Sequence, residues 1–326
     1  MKRQRGFKKQ PKKFFYKEDI FLSRMASVLK LPQSKVKELF YQHTLCAIKL
    51  TGIGKEELER KGLKLKNVLW SNNTYLVTNE NPNTLKKMPE YNQGLFYIFN
   101  LAEIIPIFAL NPKSGEKVLD IYPNRSIVQI AELMGNTGQI IANVDTENYA
   151  QEIQKGLQKY SVKNVEINLD KAEDLDKKYF ESFDKILLNS PCSKEGIVSF
   201  TKKRPLKNWS IQKTKIMSKL QEKLITVAFK CLKKDGLLIY STKTVSPNEN
   251  EAVISNFMNK NKDAVLGNIE LIEKEEFKKY KPFVKRGLKE WNNEIFHPDI
   301  VKTIRTIPGK TMLGTYVALI KKHPSY

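Results

Sequence analysis

Past Pro82 the chain alternates short apolar runs with longer segments whose apolar residues recur at three and four positions. The runs 117–121, 138–144, 164–168, 183–188, 236–241 and 315–320 are rich in Val, Ile and Leu and are expected as strands. The segments 125–134, 147–160, 211–234 and 249–260 are expected as helices; in the third, Ile216, Leu220, Leu224 and Cys231 share a stripe, with Val227 beside it. Strands alternating with helices predict a mostly parallel sheet covered on both faces. In such sheets ligands lie beyond the carboxyl ends of the strands, so the chemistry is expected there.

Before Pro82 the pattern is mixed. Phe21, Met25, Val28 and Leu29 have helical spacing, and Val36, Leu39 and Phe40 begin a second helix. A strand over 45–50, a helix over 55–60 ended by Gly62, and strands near 68–70 and 74–77 complete a small α+β unit. The expected division is a basic flexible arm over 1–17, a small N-terminal domain over 18–84 and an α/β domain over 85–326.

Charge adds a partner to this picture. The 326 residues carry 57 Lys+Arg against 35 Asp+Glu, a formal charge of +22. An excess of that size concentrates polyanions at the surface, and neutralising phosphates releases counterions, so nucleic acid is the expected partner. A lysine-rich composition unrelated to function is the competing explanation. Residues 1–17 hold eight of the basic residues and no acid, with no apolar stretch of the kind a secretory signal carries. An intracellular location is expected, cytoplasmic or organellar, with a mitochondrial one open. No run approaches the roughly 20 apolar residues of a membrane span. Three widely separated cysteines, Cys46, Cys192 and Cys231, and three histidines, His43, His297 and His323, argue against disulfides and against a metal site. Cys46 and Cys231 are expected in the core.

Four segments carry a resemblance: Pro89–Ile98 followed by Ile105–Leu110; Gly115-Glu-Lys-Val-Leu-Asp120; Phe183-Asp-Lys-Ile-Leu-Leu-Asn-Ser-Pro-Cys-Ser-Lys-Glu-Gly196; and Gly236-Leu-Leu-Ile-Tyr-Ser-Thr-Lys-Thr-Val-Ser-Pro-Asn-Glu-Asn-Glu251. A weaker fifth runs from Arg305 to Leu319. Together they resemble the RNA cytosine-C5 methyltransferases of the Nop2/Sun type, over roughly residues 20–322. The resemblance implies a Rossmann-like class I methyltransferase domain with a mostly parallel seven-stranded sheet, preceded by a small RNA-binding domain. It implies S-adenosylmethionine as methyl donor and RNA, ribosomal RNA first, as substrate, with ribosomal proteins as further partners.

Methylation at C5 needs a thiolate to attack C6 of the base, which makes C5 nucleophilic toward the methyl donor. The family takes that cysteine from a Thr-Cys-Thr loop, uses a second cysteine in a Pro-Cys-Ser loop for product release, and places a carboxylate before that proline. Here the three positions are Lys243, Cys192 and Asn189. Lysine is mostly protonated at its ordinary pKa of ~10.4 and gives no readily expelled adduct. The loop after Asp120, Ile121-Tyr-Pro-Asn-Arg-Ser126, has no glycine and is about two residues shorter than the family's Ala-Pro-Gly-Gly-Lys type of loop, which takes space from the cofactor. Asp120, Asp145 and Asp170 fall at or near cofactor positions; Asp145 fits equally as a helix cap. Glu249 and Glu251 are expected to begin a helix and orient its loop.

Two basic stretches contain aromatics that could stack on unpaired bases: Lys202, Lys203, Arg204 and Lys207 with Trp209, and Lys278, Lys279, Lys281, Lys285 and Arg286 with Phe277, Tyr280 and Phe283. Solvated charge over buried rings is the alternative for each. Trp70 and Tyr75 are expected in the core. The residues therefore predict an RNA-binding, catalytically inactive relative of these enzymes, acting on ribosomal RNA or in ribosome assembly. Two alternatives stay open: an active methyltransferase with Cys192 as nucleophile, and a protein–protein scaffold within a ribonucleoprotein.

Overall fold

The computed structural model describes residues 16–124 and 127–323. The arm expected over 1–17 lies outside the described residues except for Tyr16 and Lys17.

Two helices come first, α1 (Lys17–Leu29) and α2 (Gln33–Phe40). Lys30, with a left-handed φ of 53°, closes α1, and Pro32 precedes α2. The expected spacing is real: Phe21, Met25, Val28, Leu29, Val36 and Phe40 are all buried. Their partners are distant in sequence, namely Leu206, Trp209, Val245 and Ile307. Phe21 lies edge-on to Phe40, Phe200 and Trp209, at centroid distances of 5.1, 5.9 and 5.1 Å. Aromatic edges of this kind add to plain area burial. The helix pair is thus a brace across loops of the larger domain.

A four-stranded antiparallel sheet follows, built from β1 (Cys46–Leu50), β2 (Leu65–Asn67), β3 (Thr74–Val77) and β4 (Phe96–Phe99) in the order β2-β3-β1-β4. The short helices α3 (Lys55–Arg60), α4 (Pro82–Leu85) and α5 (Pro89–Asn92) connect them. Gly62, at φ +93°, ends α3 as expected. The strand expected near 68–70 lies at 65–67 instead. Residues 68–71 turn away because Trp70 inserts its ring among Phe108, Phe277 and Tyr280, at 5.4, 5.3 and 6.0 Å. The sheet also runs past residue 84: β4 pairs with β1 through Ala47↔Phe99 to Leu50↔Phe96, and one apolar cluster runs from Ala47 and Trp70 into the larger domain.

That domain begins with α6 (Leu101–Leu110), whose capping box joins Asn100 and Glu103. It continues through β5 (Lys117–Ile121), α7 (Ile127–Leu133), β6 (Gln139–Asn143), α8 (Glu147–Lys159), β7 (Val165–Asn168), α9 (Asp176–Tyr179), β8 (Phe183–Asn189), α10 (Ile211–Cys231), β9 (Leu232–Thr242) and α11 (Glu251–Lys260). The short strands β10 (Ala264–Gly267), β11 (Val284–Arg286), β12 (Glu290–Trp291), β13 (Glu294–Ile295) and β14 (Ile304–Thr306) lead to β15 (Tyr316–Lys322). The central sheet has nine strands in the order β11-β14-β15-β9-β8-β5-β6-β7, with β10 also on β15. The expected seven are present as β7-β6-β5-β8-β9-β15-β10; β14 and β11 enlarge the sheet. These last two, of three residues each, are too short to show a period in sequence. β5 to β9 are parallel and β15 is antiparallel to β9.

Alternation along the strands separates the two layers. Val118, Ile140, Leu187 and Ile239 face one cluster, while Leu119, Ile141, Ile186 and Leu238 face the other. The helix expected to reach 234 stops at Cys231, where Leu232 becomes extended. Ile216 leaves the expected stripe and is exposed, because the first turns of α10 face the site through Thr214 and Gln221 instead.

Candidate functional site

The loops that leave the carboxyl ends of β8 and β9 lie against α1 and are tied together by buried polar groups. Lys243 leaves β9 and half-emerges into a cleft of about 1000 Å³, lined also by His43, Lys86, Glu103, Tyr149 and Lys202. Its Nζ donates to Glu103 Oε1 at 2.5 Å, while Glu103 Oε2 accepts the Asn100 N–H at 3.0 Å. The position expected to hold a nucleophile therefore holds a cation in an ion pair, oriented by the cap of α6.

Cys192 is buried, and burial together with the nearby Glu249 carboxylate pushes its thiol up to about 12. At neutral pH it is a thiol, and a thiol is a poor nucleophile. Asn189, at the end of β8, donates from Nδ2 to Asp120 Oδ1 at 2.9 Å. Two carboxylates there would repel; the amide makes the contact attractive. Burial drives Asp120 well above the ordinary carboxyl range, against the pull of the Asn189 bond.

Glu249 accepts the Ser193 N–H at 2.8 Å and Gln221 Nε2 at 3.1 Å, which fixes the Pro-Cys-Ser turn. Burial lifts its carboxyl to about 7, over the opposing pull of the Ser193 bonds. Glu251 pairs with Arg305, and both are buried. Both glutamates orient loops, and Glu251 opens α11, as their place in the sequence predicts. Glu195, also buried, accepts from Arg24 Nε at 3.3 Å, Trp209 Nε1 at 2.9 Å and Thr244 Oγ1 at 3.2 Å. Arg24 of α1 also reaches Ser246 Oγ at 2.9 Å and Asn248 Oδ1 at 3.1 Å. Sequence reasoning missed Arg24 and Glu195, which pair with each other across 171 positions. Glu103 had a legible signal, the Asn-x-x-Glu spacing of a capping box.

The acids at the cofactor positions are dispersed. Asp145 is exposed beyond β6, where Val144 is the buried residue and Thr146, not Asp145, caps α8. Asp170 is exposed and pairs with Lys178 at 2.9 Å, which holds its carboxyl below the usual range. After β5, Tyr122 stands at φ +56° with its ring half-buried against the apolar cluster that includes Ala172 and Leu175. A family member would be expected to hold S-adenosylmethionine here, but these residues do not fit it: Asp120 is buried and bonded to Asn189, Asp145 and Asp170 are exposed, and an aromatic residue follows β5 where the family has a glycine-rich loop.

Of the basic stretches, Lys202, Lys203, Arg204 and Lys207 are exposed and make no ion pair among the described residues, and Lys202 borders the cleft. Trp209 is core. In the second stretch Lys278 pairs with Glu275, and Lys281 and Arg286 pair with Glu273, at 2.9, 3.4 and 2.5 Å. Lys279 and Lys285 are exposed, Phe277 and Tyr280 are buried, and Phe283 is at the surface. Cys46, Cys231 and Trp70 are core and Tyr75 is half-buried. No helix among the described residues is long and apolar enough to cross a membrane.

The strand order, with its antiparallel penultimate pair, defines a class I methyltransferase fold. Comparison with known proteins agrees. The profile of the 16S rRNA methyltransferase RsmB/F family matches residues 107–321, and the chain belongs to this family of RNA cytosine-C5 methyltransferases. It is 34% identical over 236 residues to a tRNA (cytosine(49)-C(5))-methyltransferase of Pyrococcus abyssi, across 72% of each chain. It is 34% identical over 215 residues to ribosomal RNA small subunit methyltransferase F of Shewanella amazonensis, across 64% of this chain and 45% of that one. The match thus spans less than half of that second relative. A methyltransferase homologue from Pyrococcus horikoshii has the same fold, with a TM-score of 0.73 at 24% identity, covering 93% of this chain and 99% of that one. So does NSun6 from the same organism, with a TM-score of 0.73 at 18% identity, covering 94% and 98%.

Proposed function

We propose that this chain binds RNA, ribosomal RNA first, without methylating it, and serves as a non-catalytic member of its family in ribosome assembly. The observation that carries the reading is Lys243: where the chemistry needs a sulfur, the cleft presents an ammonium held by Glu103. Asn189 in place of a carboxylate and the thiol-locked Cys192 point the same way. RNA would lie along the cleft, its phosphates met by Lys202, Lys203, Arg204 and Lys207, with Lys279 and Lys285 as outlying contacts. Salt-dependent affinity follows from that charge.

The relatives favour a second reading, an active RNA cytosine-C5 methyltransferase, since they are named as RNA methyltransferases and the Pyrococcus abyssi one as a tRNA (cytosine(49)-C(5))-methyltransferase. It would need Cys192 as nucleophile, and a buried thiol with a pKa of about 12 is a poor one. One experiment separates the two. The full chain is mixed with total RNA and methyl-labelled S-adenosylmethionine, and RNA binding is measured alongside. Salt-sensitive binding with no C5-methylcytosine supports the proposal; labelled C5-methylcytosine refutes it.

A further inference from the structure

We propose that Tyr122 is a built-in plug: its ring fills the space over the ends of β5, β6 and β7 that an adenosyl group would take, so the cleft is closed to S-adenosylmethionine by the chain itself. The inference deepens the proposed function but stands on different residues from those around Lys243.

The first support is backbone conformation. Tyr122 sits in the left-handed region at φ +56°, which a bulky side chain enters only when its surroundings hold it there. Two bonds do so. The Tyr122 N–H donates to the Asn143 carbonyl at 2.9 Å, extending the β5–β6 ladder one residue past Ile121. The Tyr149 hydroxyl of α8 donates to the Pro123 carbonyl at 2.7 Å and pins the next residue. Tyr122 and Pro123 are thus held against the β6–α8 side, in a loop about two residues shorter than the loop the family resemblance calls for.

The second support is where the ring goes. It is half-buried and packs against the apolar cluster of one face of the sheet, to which Leu119, Ile121 and Ile141 of the strands and Ala172 and Leu175 after β7 belong. Burial, then the carboxylates of Glu173 after β7 and Asp145 after β6, lift the phenol to about 12. Ligands of doubly wound sheets bind at these strand ends. After β6, Val144 is fully buried in the cluster of the other sheet face and offers no carboxylate to a ribose.

Removing the ring should therefore open the site. Tyr122→Gly suits the left-handed backbone, and Tyr122→Asn, also tolerant of it, repeats the test should the glycine variant fail to fold. S-adenosylmethionine is titrated by calorimetry into the full-length wild type, Tyr122→Phe and the two small variants, each with a verified thermal transition. Wild type and Tyr122→Phe should give no binding heat, and the small variants should bind at least ~10-fold more tightly than the weakest affinity the titration can detect, a shift of about 1.4 kcal/mol. Binding to the wild type, or folded small variants that gain nothing, would overturn the plug. Binding to the wild type with no methyl transfer to RNA would leave the proposed function standing; a methylated product would refute that separately.

Discussion

The ion pair between Arg305 and Glu251 offers a quantitative test of how the Lys243 loop is held. Both side chains are almost wholly buried, at 1% and 0% exposure, and Arg305 Nη1 also donates to the Val245 carbonyl at 3.0 Å. Glu251 additionally accepts the Leu288 N–H at 3.0 Å. In Arg305→Met the carboxylate keeps one backbone donor and loses its counter-charge, and the Val245 carbonyl loses its donor. Breaking a buried pair from one side costs about 3–5 kcal/mol, and an orphaned carbonyl about 1 kcal/mol more. For a chain of this size each kcal/mol lowers Tm by roughly 1.5 °C, so a fall of about 6–9 °C is expected. Thermal unfolding followed by circular dichroism reads it. Arg305→Met with Glu251→Leu removes the stranded charge, and a double-mutant cycle should return at least half of the loss. A drop below about 1 kcal/mol in the single variant, or no recovery in the double, would refute this account of the loop.

Three further outcomes follow. In Gly196→Ala the new Cβ would stand 1.9 Å from the Gly314 carbonyl oxygen, so the Gly314–Gly196 and Gly196–Lys243 backbone bonds must shift, and a loss of about 2–5 kcal/mol in urea melts is expected. Gly156→Ala, inside α8 with open space around it and no left-handed backbone, should cost nothing. Glu249 has its folded pKa raised from 4.5 to about 7, so the folded state holds the extra proton between these values and stability falls as pH rises through that window, by about 3 kcal/mol in all; Glu249→Gln should flatten that part of the pH profile, and an unchanged slope would count against the assignment. Replacing Lys202, Lys203 and Arg204 together by Ala should weaken RNA binding and lower the salt slope by about 2–3, whereas the same change at Lys278, Lys281 and Arg286, already paired, should lower it less; equal losses would contradict that ranking in filter-binding titrations over a salt series.

Much of this was readable before any coordinates. Each apolar run of the larger domain became a strand within a few residues, because burial on both sheet faces enforces a dense aliphatic pattern. The loops bearing Cys192, Asn189 and Lys243 were found by their motifs, which local chain geometry preserves. What escaped depends on distance along the chain. The tie from Arg24 to Glu195 and Ser246 spans 171 and 222 positions, and no periodicity marks either end. Strands of three residues, such as β11 and β14, carry no pattern at all. Trp209 and the Lys278–Arg286 stretch read as RNA contacts in sequence, yet Trp209 is core and much of the stretch is ion-paired, because residue type does not reveal which charges already have partners. The shortened loop after Asp120 was legible; the direction of the Tyr122 ring was not.

The account rests on the cleft having no usable nucleophile, and covalent trapping tests that directly. The full chain is incubated with S-adenosylmethionine and RNA containing 5-fluorocytidine, which holds an attacking cysteine at C6, and is then resolved under denaturing conditions. The account predicts no RNA-linked band from the wild type, even at concentrations that saturate binding. A wild-type adduct that disappears in Cys192→Ala would contradict it.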